Sequence, residues 1–390
     1  METTILDHSK AALDGAHSHG VVPQGDRSER RASFDVDDFP LPNGREEDWR
    51  FTPIDKLTAL MQAGPTGGHL GFDMRIPAGV EVTAIDTAAA IGLSPFPPGD
   101  RPAALAVANS TGAVRVVVPA GFNGDPVVLT LDGTGETVFG HLSFEVGANA
   151  RVVIVMRHTG TARYSARVDL TVREGAHATF VSLQEWDDDA IHLAENAIAL
   201  GRDATLKHVV VTLGGELARV NTSARFTAPG GNLKLLGLYF TDAGQHQEHR
   251  LFVDHGVPNC VSRATYKGAL QGQGAHAVWV GDVLIRKAAE GTDTYELNRN
   301  LVLTEGARAD SVPNLEIETG EIEGAGHASA TGRFDDEQLF YLRSRGIPES
   351  EARRLVVRGF FAELIAEIGL PDVQERLMDA IEAELGRTRA

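Results

Sequence analysis

From Val114 onward the chain alternates short β-branched runs with glycine-containing turns. Val114–Val118, Val127–Leu131, Val152–Met156 and Val209–Thr212 read as strands. The turn text itself recurs: GANARVVIV from Gly147, GAHATFVSL from Gly175, GRDATLKHVV from Gly201, GGNLKLLGLYF from Gly230, GAHAVWVGDVL from Gly274 and GARADSVPNLEI from Gly306. The steps between successive glycines are similar except for the long one from Gly230 to Gly274, which implies a missing or altered copy. A turn-and-strand unit of this length cannot bury its apolar face alone, whereas stacked copies share one continuous core. The pattern predicts a mainly β fold, a right-handed parallel β-helix, with at least six coils between Val114 and Ile322. Glycine is expected at corners where φ is positive, and the alanines that follow keep those corners narrow. A β-sandwich is the rival all-β solution, but its turns come every ~8–12 residues and rarely repeat the same text.

After Arg333 the period becomes helical. FDDEQLFYLRSRG predicts a helix with Leu339, Phe340 and Leu342 inward. Pro348 suits the start of a second helix, with Glu349 and Glu351 in its first turn and Leu355, Phe360, Leu364, Ile365 and Ile368 on its apolar face. Beyond Leu370-Pro371, Val373, Leu377, Ile381 and Leu385 mark a third. A β-helix has open ends to cover, so these helices are expected to form a cap or a docking surface. On the other flank, residues 1–32 are polar without apolar period and read as a mobile tail, whose His8, His17 and His19 are too loosely spaced for a metal site. Residues 33–110 read as helical or irregular. There Pro42-Asn43-Gly44 marks a turn, Glu46-Glu47-Asp48 supply first-turn acids, and Trp49 and Phe51 are candidates for burial. The β-helix is expected over 111–327 and the C-terminal helical region over 328–390.

Composition narrows the function classes. No apolar run reaches bilayer length, and the N-terminus lacks a basic start followed by an apolar stretch, so neither a membrane span nor a secretion signal is expected. The net charge of −18 argues against a nucleic-acid partner, because phosphate binding needs clustered Lys and Arg. Cys260 is the single cysteine, which excludes an internal disulfide and suits a reducing, cytoplasmic setting. No G-x-x-x-x-G-K-[ST] motif is present, so the chain is not expected to bind or hydrolyse nucleotide itself; H-E-x-x-H and G-x-S-x-G are also absent. Asp335-Asp336-Glu337 resemble the paired acids of β-helical carbohydrate-active enzymes, but acids opening a helix are explained by its dipole. A sugar groove also needs exposed aromatics and acids repeated across coils, and the chain is only 6% aromatic.

Three segments resemble the SufB/SufD family of iron–sulfur assembly scaffolds: Gly326–Ala352 (GHASATGRFDDEQLFYLRSRGIPESEA), Asp254–Leu270 (DHGVPNCVSRATYKGAL) and Arg45–Leu57 (REEDWRFTPIDKL). Leu342, where SufB proteins usually carry Cys, and the near absence of cysteine point to the SufD side. The resemblance implies a non-catalytic scaffold that pairs with a SufB-type subunit through the β-helix. It also implies a SufC-type ABC ATPase bound through the C-terminal helices; whether the isolated chain is a homodimer is left open by the sequence. A nascent Fe–S cluster or iron would be transient cargo shared with the partner. The family's functional SufD histidine maps onto His327, although Ala325 stands where many relatives have Cys. Clusters take mainly thiolates, with imidazole as an occasional substitute, so a chain with one Cys offers ligands only to a shared site. Cys260 and, five residues before it, His255 are further candidate ligands, though a buried free Cys ordinarily behaves as a small hydrophobe. His246 and His249 are three apart in a strand-like or turn stretch and are not advanced as ligands.

Overall fold

The computed structural model describes residues 30–62, 68–334 and 336–387; the tail histidines His8, His17 and His19 and the acid Asp335 lie outside the described residues. After 3-10 turns at Val36–Asp38 and Ile54–Leu60 come β1 (Gly71–Arg75), β2 (Glu81–Ile85), α1 (Thr87–Leu93), α2 (Arg101–Asn109) and β3 (Ala113–Val118). The long strands β4 (Val127–Val146) and β5 (Arg151–Val172) follow, then β6 (His177–Gln184), β7 (Ile191–Leu200), β8 (Thr205–Thr212), β9 (Leu217–Phe226), β10 (Asn232–Thr241) and β11 (His246–His255). The series closes with β12 (Val261–Leu270), β13 (His276–Ile285), β14 (Asp293–Val302), β15 (Arg308–Ile317), β16 (Gly324–Arg333), α3 (Asp336–Ser344), α4 (Glu349–Ile368) and α5 (Pro371–Arg387).

From β4 onward every pairing between successive coils is parallel, and the strands form two ladders that fan out from β5: β6-β8-β10-β12-β14-β16 and β7-β9-β11-β13-β15. The architecture is a parallel β-solenoid of about eight turns, as the repeat predicts. His177 pairs with Thr205, Thr205 with Asn232, Asn232 with Val261, Val261 with Asp293 and Asp293 with Gly324. Each of these steps is one coil and none is skipped; the last two coils are longer than the first.

The long step from Gly230 to Gly274 is therefore not a missing coil. Gly147, Gly175, Gly201 and Gly230 precede strands of the first ladder or its root in β5, whereas Gly274 and Gly306 precede β13 and β15 of the second. The glycine text changes corner, and Pro258-Asn259-Cys260 takes its place at the first. That corner carries a column of left-handed residues in which Gly175, Gly230 and Gly291 (φ 62°, 84°, 68°) alternate with Asn149, Asp203 and Asn259 (φ 56°, 53°, 57°). A Cβ on any of those three glycines would collide with the side-chain oxygen of the Asn or Asp in the preceding coil, so the two residue types must alternate. Gly147 and Gly201 are not the positive-φ residues; a Cβ on Gly147 would lie 2.5 Å from the Ala120 backbone nitrogen, so close approach requires glycine there. Ala150, Ala176 and Ala204 are fully buried at this corner.

The half of the interior beside this corner is mainly aliphatic, with Val172, Leu200, Leu206, Leu233 and Ile285 among its members. The other half mixes aromatic and polar groups. There Tyr266 packs over Gly237 and Tyr239 over Gly268; a Cβ on either glycine would overlap the ring opposite.

The flanks differ from expectation in several places. Glu46–Asp48 lie in turns rather than opening a helix, and the N-terminal region adds β1 and β2, antiparallel to β4 and β3. Trp49 is buried with Leu57 and Leu60 against Leu193 and Leu217, while Phe51 is only half-buried. α4 and α5 lie along a side of the solenoid rather than over an end. Val357, Phe361, Leu364, Ile365 and Ile368 of α4, with Val373, Leu377 and Ile381 of α5, pack on the outer side of β6, β8 and β10. Lys207 Nζ donates to the Glu367 and Ile368 carbonyls at 2.8 and 3.2 Å, satisfying the end of α4. Leu355 and Phe340, both expected inward, are exposed, and Leu342 is half-buried.

Candidate functional site

Among the described residues the ladders end at β15 and β16, each ten residues long and paired on one side only. Their outer edges carry backbone N–H and C=O groups with no strand partner, a template for another chain. β16 continues to Arg333, so His327 lies within a strand and not at the strand-to-helix junction. His327 stands opposite Glu296, which stands on β14 beside Ala264 of β12. Ala264 belongs to the interior, so alternation turns Ala325, His327, Ser329 and Thr331 toward the solenoid's lumen. His327 is exposed only because no coil follows.

Behind this rim the lumen is hydrogen-bonded. Asn298 Nδ2 donates to Tyr239 Oη at 2.9 Å, Ser311 Oγ to Asn298 Oδ1 at 2.6 Å, and Asn300 Nδ2 to Asn298 Oδ1 at 2.8 Å. Deeper in, Tyr239 stacks on His249, whose Nε2 meets Thr212 Oγ1 at 2.9 Å. Deeper still, Trp186 Nε1 donates to Gln184 Oε1 at 2.8 Å beside His158 and His192. Burial holds His158 and His208 at about 4 and His249 at about 3, so these imidazoles are neutral near pH 7.

Cys260 and His255 lie elsewhere. The Cys260 thiol is fully buried in the aliphatic half, next to the Pro258 and Ala228 carbonyls, and burial pushes it up and away from the thiolate a cluster needs. His255 is buried against Phe226, its Nε2 sharing a 2.9 Å hydrogen bond with Ser262 Oγ, and burial holds it at about 4. His327 is two coils beyond Cys260 along the first ladder, and among the described residues no three His, Cys, Asp or Glu side chains are disposed to hold a metal ion together. The described residues do not form a self-contained cluster site.

A second feature is the surface of α3, where Phe340 is 74% and Tyr341 56% exposed. A third is an ionic ladder on the outer side of the second ladder, beneath the N-terminal region. Arg167 contacts Asp169 and Glu195 at 2.7 Å each, and His141 Nε2 meets Asp169 at 2.8 Å. Arg219 bridges Asp100 at 2.9 Å and Glu248 at 3.3 Å with its guanidinium 3.9 Å over Trp49. Glu248 also accepts from Thr52 Oγ1 at 2.6 Å, and its neighbouring cations hold it well below the usual carboxylate range despite burial. These contacts fasten the N-terminal region to the solenoid, and local sequence patterning carries no signal for them. Their partners stand one coil apart, Arg167 beside Glu195 and Arg219 beside Glu248, which is neither a helical nor a strand period.

The family model for the SUF system FeS cluster assembly SufBD core domain matches residues 129–360, which runs from β4 into α4. The chain belongs to the SufBD family. An iron-sulfur cluster assembly SufBD family protein of Mycobacterium bovis is 50% identical over 97% of this chain and 96% of its own length. One of Mycobacterium leprae is 50% identical over 92% and 94%. The iron-sulfur cluster assembly protein SufD of Escherichia coli is 30% identical over 63% of this chain and 58% of its own length. Membership in SufBD disfavours the carbohydrate-active reading, and Asp336 and Glu337 fall in the first turn of α3, where a helix favours acids. No described helix of this SufBD protein is long and apolar enough to cross a membrane.

Proposed function

We propose that this SufBD protein is a SufD-type, non-catalytic scaffold subunit that works in the cytoplasm. It pairs through its terminal coil with a SufB-type subunit and docks a SufC-type ABC ATPase on its C-terminal helical region. The unpaired edges of β15 and β16, with the lumen-facing His327 at their rim, carry this reading. A second solenoid adding strands there extends both ladders and buries His327 at the junction, and in isolation two copies of this chain can use the same edges. The nascent cluster or iron is cargo at that junction, with His327 offering one imidazole and the partner the thiolates. Cys260 and His255 take structural roles in this arrangement, since both are buried in the solenoid. Co-expression with SufB-type and SufC-type proteins tests the assembly; failure to co-purify with either overturns it.

Two substitutions separate the roles. His327→Ala removes an exposed side chain, so the complex assembles and melts as the wild type does, while cluster yield on the reconstituted complex falls at least several-fold. A normal yield ends the ligand reading. For the ATPase, removing α4 and α5 is uninformative, because it strips the cover from Val209, Val211, Leu236 and Leu238. Phe340→Asp with Tyr341→Ser changes only exposed surface, and is expected to lower ATPase co-purification by more than tenfold with the melting temperature unchanged. Retention of the ATPase would place its docking surface elsewhere.

A further inference from the structure

On the outer side of the second ladder, His246 of β11 and His276 of β13 are register partners one coil apart. Their Nδ1 atoms face each other at 3.2 Å, the ring centroids are 4.9 Å apart, and the ring planes cross at 69°, so the rings meet by their edges and are not stacked. The opposite nitrogens are both committed. His246 Nε2 lies 3.2 Å from Glu248 Oε2, and His276 Nε2 lies 2.7 Å from Asp310 Oδ2.

Proton counting makes this arrangement informative. A carboxylate only accepts, so each Nε2 is the protonated nitrogen of its imidazole. Each neutral ring then has its lone pair on Nδ1, so two acceptor nitrogens face each other at 3.2 Å. Such a contact is repulsive unless the two nitrogens share a proton or a metal ion set to one side of the line joining them. Two imidazole nitrogens bound at about 2.0–2.1 Å to a tetrahedral metal are roughly 3.3 Å apart, close to the separation seen. A carboxylate on the far nitrogen is the usual support of a metal-bound histidine, because it fixes the tautomer and makes the ligating nitrogen more basic.

We propose that His246 and His276 bind a divalent transition-metal cation between their Nδ1 atoms, with Glu248 and Asp310 as positioning carboxylates. Imidazole pairs suit zinc, nickel, copper or iron rather than magnesium or calcium. The nearby cations are already engaged: Arg308 Nε contacts Asp310 at 2.7 Å, Arg219 and Arg250 contact Glu248 at 3.3 and 3.2 Å. The His246 side chain is 5% and that of His276 22% exposed, so solvent reaches the site from the His276 side and water completes the coordination. The ion bridges two coils next to Thr52 and Asp48, which Glu248 and Arg250 hold, and so ties metal binding to the docking of the N-terminal region. This site is separate from His327 and does not depend on the assembly reading.

The test is Zn2+ titration of the full-length, metal-stripped protein by calorimetry, with Co2+ absorption as a report of nitrogen ligation. The wild type is expected to show one saturable site per chain that His276→Ala loses and that Asp310→Asn weakens by about 10–100-fold. Metal taken up by the N-terminal histidines persists in every variant and cancels. Identical binding by wild type and His276→Ala overturns the proposal, as does an absence of binding, which would leave a shared proton between the rings. Should His276→Ala fail to fold, 15N spectra of wild-type histidines decide: Zn2+ must shift the His246 and His276 Nδ1 signals, and unmoved signals refute the site.

Discussion

Between pH 7 and pH 5 the protein is expected to lose most of its resistance to heat. Burial holds His158, His208 and His255 at about 4 and His249 at about 3, against 6.5 for an exposed histidine. The folded values lie below the unfolded ones, so the unfolded chain binds protons first as pH falls. The stability these four contribute is complete above pH 6.5 and is lost as pH drops toward 4. At pH 5 each costs about 2 kcal/mol, since one pH unit of differential protonation is about 1.4 kcal/mol. Four together approach the net stability of an ordinary domain, about 5–15 kcal/mol. Melting temperature against pH, followed by circular dichroism, measures the loss. His208→Leu removes one titrating ring whose Nδ1 has no hydrogen-bond partner, and should make the curve shallower; His192, also held well below its ordinary value by burial, continues to titrate with the others. A melting temperature unchanged between pH 7 and pH 5 would show that these rings are not buried as described.

Arg167→Ala is expected to be the most damaging single substitution on the outer side of the solenoid. Arg167 is fully buried and serves Asp169, Glu195, the Phe96 carbonyl and Ser94 Oγ at once. Removing it leaves Asp169 and Glu195 in a dry interface without their cation, and burial already raises the Glu195 carboxyl to about 7. Asp169 keeps His141 and Ser94, and Glu195 keeps the Gly99 backbone N–H. Breaking a buried ion pair from one side costs about 3–5 kcal/mol, because the surviving groups lose their main counter-charge without regaining water. The damage should concentrate where Ser94–Gly99 seals the sheet, so hydrogen exchange in α1 and α2 should rise before that in β8 or β10. Arg167→Met keeps the volume but not the charge, and should be nearly as destabilising. If Arg167→Met melts like the wild type, the ladder contributes packing rather than electrostatic fastening.

The solenoid was legible because its physics is repetitive. A coil that cannot bury its own apolar side must be followed by another of similar length, and the recurring turn at Gly147, Gly175, Gly201 and Gly230 records that requirement directly. The helical periods after Arg333 were legible for the same reason, and so was the SufBD resemblance in the segment that follows Gly326. Which side of a helix is covered was not. Phe340 and Leu355 fit an apolar stripe as well as Val357 and Phe361 do, and only the position of β6, β8 and β10 decides which pair is buried.

The same division holds for chemistry. Sequence alone determined that one cysteine cannot hold a cluster and that no nucleotide motif is present, and it placed His327 in the segment that resembles the family. Only the tertiary structure decided that His327 faces the lumen at an unpaired rim, that Cys260 and His255 are buried away from it, and that the N-terminal region is fastened by charges. It also separated His246 from His249, an odd number of positions apart on one strand and therefore on opposite sides of the sheet, and brought His246 instead to His276 in the next coil. In a stacked coil the neighbour that matters lies one turn of the solenoid distant. That distance differs between coils, being shorter from Arg151 to His177 than from His276 to Arg308. Contacts across coils therefore follow from the register of the ladders and not from local spacing.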